Sequence, residues 1–468
     1  MTVAPRDALA ALWSSCGLRA AALGDAVLSG TEPVLPSSFA VGTASQVSLA
    51  AAALAALEVG RLRNGIGQQI AVDMREAALE SCGHFTVDGK APLVWDPVAG
   101  LYPCGDGGGG GWVRLHTNFA HHRDGVLRLL GLPAGPGSER ATVAAALARW
   151  TALDFETAAM DAGLVAAALR SHDEWLRHPQ SQAIADLPLV EIRRIGDAPP
   201  LGWPELASSS RPLTGLRVLD LTRILAGPIA GRTLAAHGAD VMLVNAPHLP
   251  NIDAIADTSW GKRSALADLR SEDGQAGLRS VLADAHVFLQ AYRPGALAAL
   301  GCGVDDVVRC RPGIVHASLS AYGRLGPWSA RRGFDSLVQT ATGFNVDEAL
   351  AAGVTAPKAL PMQVLDMATG FLLAFGIAAA LGRQRDEGGS WHVEASLART
   401  GQWLRELGRV EAGLSAPAVD FSAQLETRAS GFGSLTATRH AARFSRTPPG
   451  YARPSVRPGT DPLSWSPP

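Results

Sequence analysis

Asp366 is the residue whose type and setting best suit covalent chemistry. It precedes the apolar run MATGFLLAFGIAAAL. A carboxylate there could attack a thioester carbonyl and form an anhydride. The N–H groups of a helix start would hold its charge in place. The small residues Ala368, Thr369 and Gly370 would let a substrate approach. The plainer reading is an N-cap, the commonest role of an Asp before an apolar helix. Sequence leaves both readings open.

A second pattern could bind a diphosphate. The strand-like LRVLDLT is followed by RILAGPIAGRTLAAHGA and a second apolar strand, ADVMLVN. A helix opening at Gly227, Pro228 and Gly231 would present free N–H groups to an anion. The loop lacks the G-x-G-x-x-G of a dinucleotide site, and the second strand ends in Asn245, not an acid that would hold a ribose. The competing reading is close helix–strand packing at Gly227 and Gly231. Lys262, Arg263, Arg270 and Arg293 fall at the ends of later strands. They read either as anion ligands or as solvated rim charges.

Other chemistry is excluded. Twelve histidines form no zinc motif, and His121–His122 reads as a solvated loop pair. There is no G-x-S-x-G elbow and no Walker loop. Gly107–Gly111 reads as a flexible hairpin loop. Five widely spaced cysteines include no Cys-x-x-Cys pair. That fits a reducing compartment, and a cytoplasmic location is expected. With 41 basic and 43 acidic residues in 468, nothing marks a nucleic-acid or membrane-surface protein. The longest apolar stretches, 47–57 and 364–382, fall short of a clean membrane span. The first residues read as an amphipathic helix of the mature protein, not a leader.

The elements that must position these residues are legible as a pattern. Past residue 212, short apolar strands alternate with helices, which predicts an α/β fold with a parallel sheet. The stretch APPLGWPELASSSRPLTG, 198–215, marks a break and predicts a linker at 198–211. The divisions are 1–197, the linker, 212–430, and a Pro-rich return segment and tail, 431–468, extended or partly disordered. Residues 49–73 (LAAAALAALEVGRLRNGIGQQIAVD) and 372–395 (LLAFGIAAALGRQRDEGGSWHVEA) share the order helix, basic turn, Gly loop, strand. This predicts a duplicated element. Aligning Leu381 with Leu57 puts Asp366 opposite Gly42.

Several ordered segments carry a family resemblance. They are PLTGLRVLDLTRILAGPIAGRTLAAHGADVMLV, GKRSALADLRSEDG, AYRPGALAALGCG, RPGIVHASLSAYGRLGP, RRGFDSLVQTATG and LDMATGFLLAFGIAAAL. Together they resemble the class III CoA-transferases, the CaiB/BaiF family. The resemblance implies a Rossmann-like parallel-sheet large domain with a smaller α+β domain, and a homodimer. It implies transfer of CoA from an acyl-CoA to a carboxylic acid, with Asp366 as nucleophile. It implies no permanently bound cofactor, the CoA thioester being a substrate. It places CoA around Leu225 and Ala226; around Ala267, Asp268, Leu269 and Arg270; around Ala291, Tyr292 and Arg293; and around Ser320 and Tyr322.

The chain departs from the family pattern at four positions. Leu225 stands where some transferases carry Gln. Leu243 and Asn245 replace a common Lys and Glu. Phe334 stands where racemase members carry His. Residues 100–190 resemble the family's small domain, which is nearly absent after residue 397. The chain therefore reads as two incomplete copies, the first having lost its nucleophile. The expected activity is CoA transfer through an aspartyl anhydride and an aspartyl-CoA thioester. The alternatives are a catalytically degenerate CoA-binding protein, a racemase or isomerase of the same family, and a nicotinamide enzyme on the same strand–loop–helix unit.

Overall fold

The strands flanking the Gly227 loop, Arg217–Leu221 and Asp240–Asn245, pair in parallel. Their apolar side chains are buried on both faces, as a covered parallel sheet requires. The computed structural model describes residues 2–465. Its central sheet has seven strands. In spatial order they are Arg263–Leu266, Asp240–Asn245, Arg217–Leu221, Val287–Gln290, Val315–Ser320, Ser390–Ser396 and Glu191–Gly196. All pair in parallel except the last, which is antiparallel. The chain direction of the sheet order reverses between Arg217–Leu221 and Val287–Gln290. That opens a crevice beyond the carboxyl ends of those strands.

Two helices of 24 residues each, Val41–Asn64 and Val364–Glu387, pack against each other in the main core. Both are long and apolar enough to cross a membrane, and both lie buried inside the protein. The helix Ala226–Ala236 packs on the second of them. The start of the linker is held at the C-terminal end of Val364–Glu387. Gly389 donates to the Ala198 carbonyl at 2.7 Å, and Gln384 donates to the Pro199 carbonyl at 3.1 Å.

The strands that close the two ends of this core are exchanged crosswise. Glu191–Gly196 lies before the linker, yet it pairs with Ser390–Ser396. Ala442–Phe444 lies near the end of the chain, yet it pairs antiparallel with Ile70–Asp73, the strand that follows the first long helix. Ala26–Ser29 completes that second, three-stranded sheet.

A smaller α+β unit stands before the linker. Its antiparallel strands are Gly100–Pro103, Trp112–Leu115 and Ala166–Ala168. It has its own core, including Val113, Leu115, Leu127, Leu147 and Phe155. The glycine run forms the turn between its first two strands. A Cβ on Gly105 would stand 2.4 Å from the Gly110 nitrogen, so the backbones meet where no side chain fits.

The last part of the chain is more regular than its composition suggests. Leu425–Ser430 and Gly433–Thr438 form a hairpin that adds Phe85–Val87 as its third strand. The division expected at 431 falls in the turn of that hairpin. Cross-strand pairing, invisible to a compositional reading, orders the segment.

Candidate active site

Asp366 is not an N-cap. The helix Val364–Glu387 starts after Gln363, and Asp366 is its third residue, with no capping bond from its side chain. The cap comes from another element. Asp335, at the start of the helix Asp335–Ala341, accepts the Asp366 N–H on Oδ2 at 2.9 Å. It also accepts a backbone bond from Leu365. Its other oxygen takes a bond from Gln339 Nε2. A remote carboxylate thus satisfies the first N–H groups of the helix. The Asp366 carboxyl is released from capping, yet only 8% of the residue is exposed.

Two buried carboxyl groups side by side resist joint ionisation. Burial pushes Asp335 up to about 6, against the opposing hydrogen bonds and the charge of Arg114. Burial and the neighbouring Asp335 charge push Asp366 well above the ordinary carboxylate range. The pair titrates as a unit.

The smaller unit forms the opposite wall. Arg114 and His116 alternate with inward core residues along its middle strand and so share a face. The His116 ring stacks on Phe334 with centroids 3.8 Å apart. Burial pushes His116 down to about 3 and His122 down to about 4, so both are neutral near pH 7. His121–His122 is not a loop pair, and only His121 is exposed to solvent. Both residues lie in the helix Ala120–Leu129, which buries His122 among aromatic rings. The helical turn that turns His122 inward leaves no trace in a pair of adjacent histidines.

The glycine loop meets Asp366 through backbone contact. Ile224 has φ +77°, a left-handed conformation that is costly for a β-branched residue. It swings the chain out of the strand and into the helix Ala226–Ala236. Gly370 lies one turn beyond Asp366 on the same helix face. A Cβ there would come within 2.6 Å of the Ala226 carbonyl oxygen. Leu225 and Ala226 are thereby brought beside the carboxyl pair. Gly227 and Gly231 serve close packing. A Cβ on Gly227 would meet Thr222 at 2.6 Å, and one on Gly231 would meet Asp220 Oδ2 at 2.2 Å.

The other expected CoA-contact residues gather at the carboxyl ends of the parallel strands. Ala291, Tyr292 and Arg293 follow Val287–Gln290, in the crevice. Ala267, Asp268, Leu269 and Arg270 follow Arg263–Leu266. Arg270 is exposed and doubly bonded to Asp268, at 2.8 and 2.7 Å. Ser320 ends its strand and, with Tyr292, lines a cleft of about 290 Å³. The Tyr322 ring is enclosed behind Trp328 and Arg331.

Lys262 and Arg263 are elsewhere. They stand at the amino end of their strand, where Lys262 is fully buried against Asp220 and Arg263 bonds Asp240. A cation next to a strand is silent about which end it occupies until the strand's direction is known.

Sequence reading found Arg293 but missed two further arginines, Arg223 and Arg332. Arg223 and Arg332 both lie close enough to lower the proton affinity of His122, and Arg293 acts likewise on Arg332. None of the three forms an ion pair with a carboxylate among the described residues. Their bonds go to backbone carbonyls, Pro250 for Arg223 and Gly163 for Arg332. The signal was present in the R-R-G-F-D run, but which of its arginines faces outward was not. Arg331 is inside, bonded to Glu156 at 2.9 Å.

The same cleft holds a serine–histidine contact, Ser318 Oγ to His392 Nε2 at 2.8 Å. It is not a hydrolase pair. Arg193 Nη2 can only donate, and it lies 2.6 Å from His392 Nδ1. Nδ1 must accept, so Nε2 carries the proton and donates to the serine.

Position 42 shows what the first long helix lacks. Glu32 accepts the Thr43 N–H at 2.7 Å, capping this helix from a distance as Asp335 caps the other. Gly42 carries no carboxyl. A Cβ there would meet Val34 at 2.4 Å and Glu32 oxygens at 2.9 and 3.0 Å. The place opposite Asp366 is filled.

Residues 213–419 match the model of CoA-transferase family III. The chain is 33% identical over 245 residues to an acetyl-coenzyme A transferase of Hypoxylon pulicicidum, covering 50% of this chain and 41% of that one. It is 35% identical over 189 residues to a probable fatty acyl-CoA transferase of Mycobacterium tuberculosis, covering 37% and 48%. Among solved structures, a CaiB/BaiF family protein from Brucella suis is 25% identical, with a TM-score of 0.38, covering 48% of this chain and 65% of that one. The chain spans about half the length of the curated relatives it matches.

Proposed function

We propose that the protein transfers CoA from an acyl-CoA to a carboxylic acid through Asp366, in the crevice of a Rossmann-like sheet. The observation that carries this reading is the Asp366 carboxyl itself. It is enclosed, freed from capping by Asp335, and set beside the glycine loop.

An Asp366 oxygen attacks the donor thioester carbonyl. The C–S bond breaks, and CoA leaves as thiolate beside a mixed anhydride. The thiolate then attacks the aspartyl carbonyl, releasing the donor acid as carboxylate and leaving an aspartyl-CoA thioester. The acceptor carboxylate attacks that thioester and again displaces thiolate. The thiolate attacks the acyl carbonyl of the second anhydride, giving the new acyl-CoA and restoring Asp366. Arg223, Arg293 and Arg332 suit the CoA phosphates, for which guanidinium forks are well matched. Association into a homodimer belongs to the same proposal.

Mass spectrometry of the protein incubated with a panel of acyl-CoAs tests it. The expected result is a covalent adduct at Asp366 that hydroxylamine removes. Absence of any adduct across the panel overturns the proposal.

The carboxyl pair predicts a pH effect. The nucleophile must be ionised, and the Asp335 charge opposes that ionisation. The rate of adduct formation therefore rises with pH through the pair's titration. Asp335→Asn removes the opposing charge while keeping an oxygen for the helix N–H groups. The acidic limb should move to lower pH by about one unit or more. Rate profiles of both proteins between pH 5 and 9 check this, and an unmoved limb counts against the coupling.

A further inference from the structure

Arg114 has an unusual position for a charged group. It is nine-tenths buried, yet it makes no hydrogen bond or ion pair with any described residue, and its Nε is enclosed without a partner. A desolvated guanidinium with no acceptor is costly. Two features offset part of that cost. The guanidinium lies over the Trp95 ring, 5.2 Å from its centroid. It is also close enough to Asp335 for the two charges to interact. Neither supplies the oxygen acceptors that its N–H groups require.

Its neighbours are flat and apolar. His116, on the same strand face, stacks on Phe334, the residue before Asp335. Trp95 packs edge-on to His116 at 6.1 Å. Leu93 and Val94 extend the apolar surface outward, exposed at 89% and 60%. A cation beside a cluster of three rings matches one ligand chemistry. That chemistry is a carboxylate on an aromatic or otherwise flat apolar body.

We propose that Arg114 binds the carboxylate of the acid that exchanges CoA at Asp366, and that Trp95, His116 and Phe334 select acids with a flat, apolar body. The proposal rests on the transferase reading for the role of that acid, but the binding itself is measurable without turnover. The smaller unit then supplies the acid's subsite, while the strand ends of the large sheet supply the CoA subsite.

The experiment uses the full chain, with phenylacetate and succinate as probes and calorimetry as the readout. Wild type should bind phenylacetate more tightly than succinate. Arg114→Gln should weaken phenylacetate binding by about tenfold or more, and Arg114→Lys should recover part of it. CoA affinity should stay within about twofold in both variants, since Arg114 is not at the strand ends. Trp95→Ala should weaken phenylacetate binding while leaving succinate binding unchanged, and it keeps the test open if Arg114→Gln folds poorly. Equal phenylacetate binding by wild type and Arg114→Gln overturns the Arg114 subsite. Tighter binding of succinate overturns the flat-body selectivity. If phenylacetate binds through Arg114 but no adduct forms at Asp366, the transferase reading fails and the subsite stands. If the adduct forms and Arg114→Gln changes nothing, the subsite fails and the transferase reading stands.

Discussion

Asp366→Asn should abolish CoA transfer, lowering kcat by on the order of 10⁴ or more, and should make the folded protein more stable at neutral pH. The first effect follows from the chemistry. The amide has no anionic oxygen to attack a thioester, and the covalent intermediate cannot form. CoA binding should persist, because the arginines and strand ends that face the crevice are untouched. The second effect follows from the burial that raises the proton affinity of Asp366. Its folded-state pKa lies above the unfolded value. Stability is therefore undiminished below the ordinary carboxylate range and is lost as pH rises toward the folded value. The amide escapes that loss. The variant should match wild type near pH 4 and be more stable than wild type at pH 7. Steady-state transfer assays and melting curves at the two pH values measure both effects. A variant that loses transfer and also melts lower at pH 7 would show that the carboxyl is a structural group.

The identity of this residue was legible in the sequence, and the reason for its freedom was not. Asp before a long apolar helix fits a cap and a nucleophile equally well. Asp335 decides between them by occupying the helix N–H groups from 31 residues away in sequence. No local pattern records such a bond. The parallel sheet was readable because strands buried on both faces announce themselves as short apolar runs. The ends of the strands were harder to read. Arg293 and Lys262 look alike in sequence, yet one follows its strand and is exposed, while the other precedes its strand and is buried. Arg114 was unreadable for another reason. Its strand belongs to the smaller unit, and only tertiary packing brings it to the Asp335 end of a helix more than 200 residues later.

The two long helices are placed alike. Each long helix is capped by a distant carboxylate and followed by a strand that takes its antiparallel neighbour from the other half of the chain. Neither half completes its own sheet. The exchange explains why residues before the linker can stand at the site of residues after it. It also explains why the first helix tolerates Gly42. That helix serves as a core partner for Val364–Glu387, a role that needs an apolar surface but no nucleophile.

Lys262→Met should be the most destabilising single change in the large sheet, at about 3–5 kcal/mol. The Lys262 ammonium lies 2.8 Å from Asp220 Oδ2, and neither side chain is exposed. Burial pulls the lysine below its usual range, and the Asp220 charge opposes that pull. The lysine also donates to the Pro228 carbonyl at 2.8 Å, inside the first turn of the helix Ala226–Ala236. Asp220 in turn receives the Thr222 N–H and hydroxyl, at 2.9 and 2.6 Å. One ion pair thus holds both sides of the loop that carries Ile224, Leu225 and Ala226. Methionine fills the volume but leaves the Asp220 carboxylate buried without its cation. Gly231→Ala reaches the same pair by another route, because its Cβ would displace the Asp220 carboxylate and the Lys262 ammonium together. Adding Asp220→Asn to Lys262→Met should recover part of the loss, since it removes the stranded charge. Melting curves of the single and double variants measure the coupling. The loop strained at Ile224 depends on this pair, so adduct formation at Asp366 should fall with stability in Lys262→Met. A single variant that melts like wild type would mean that the buried pair does not hold the loop.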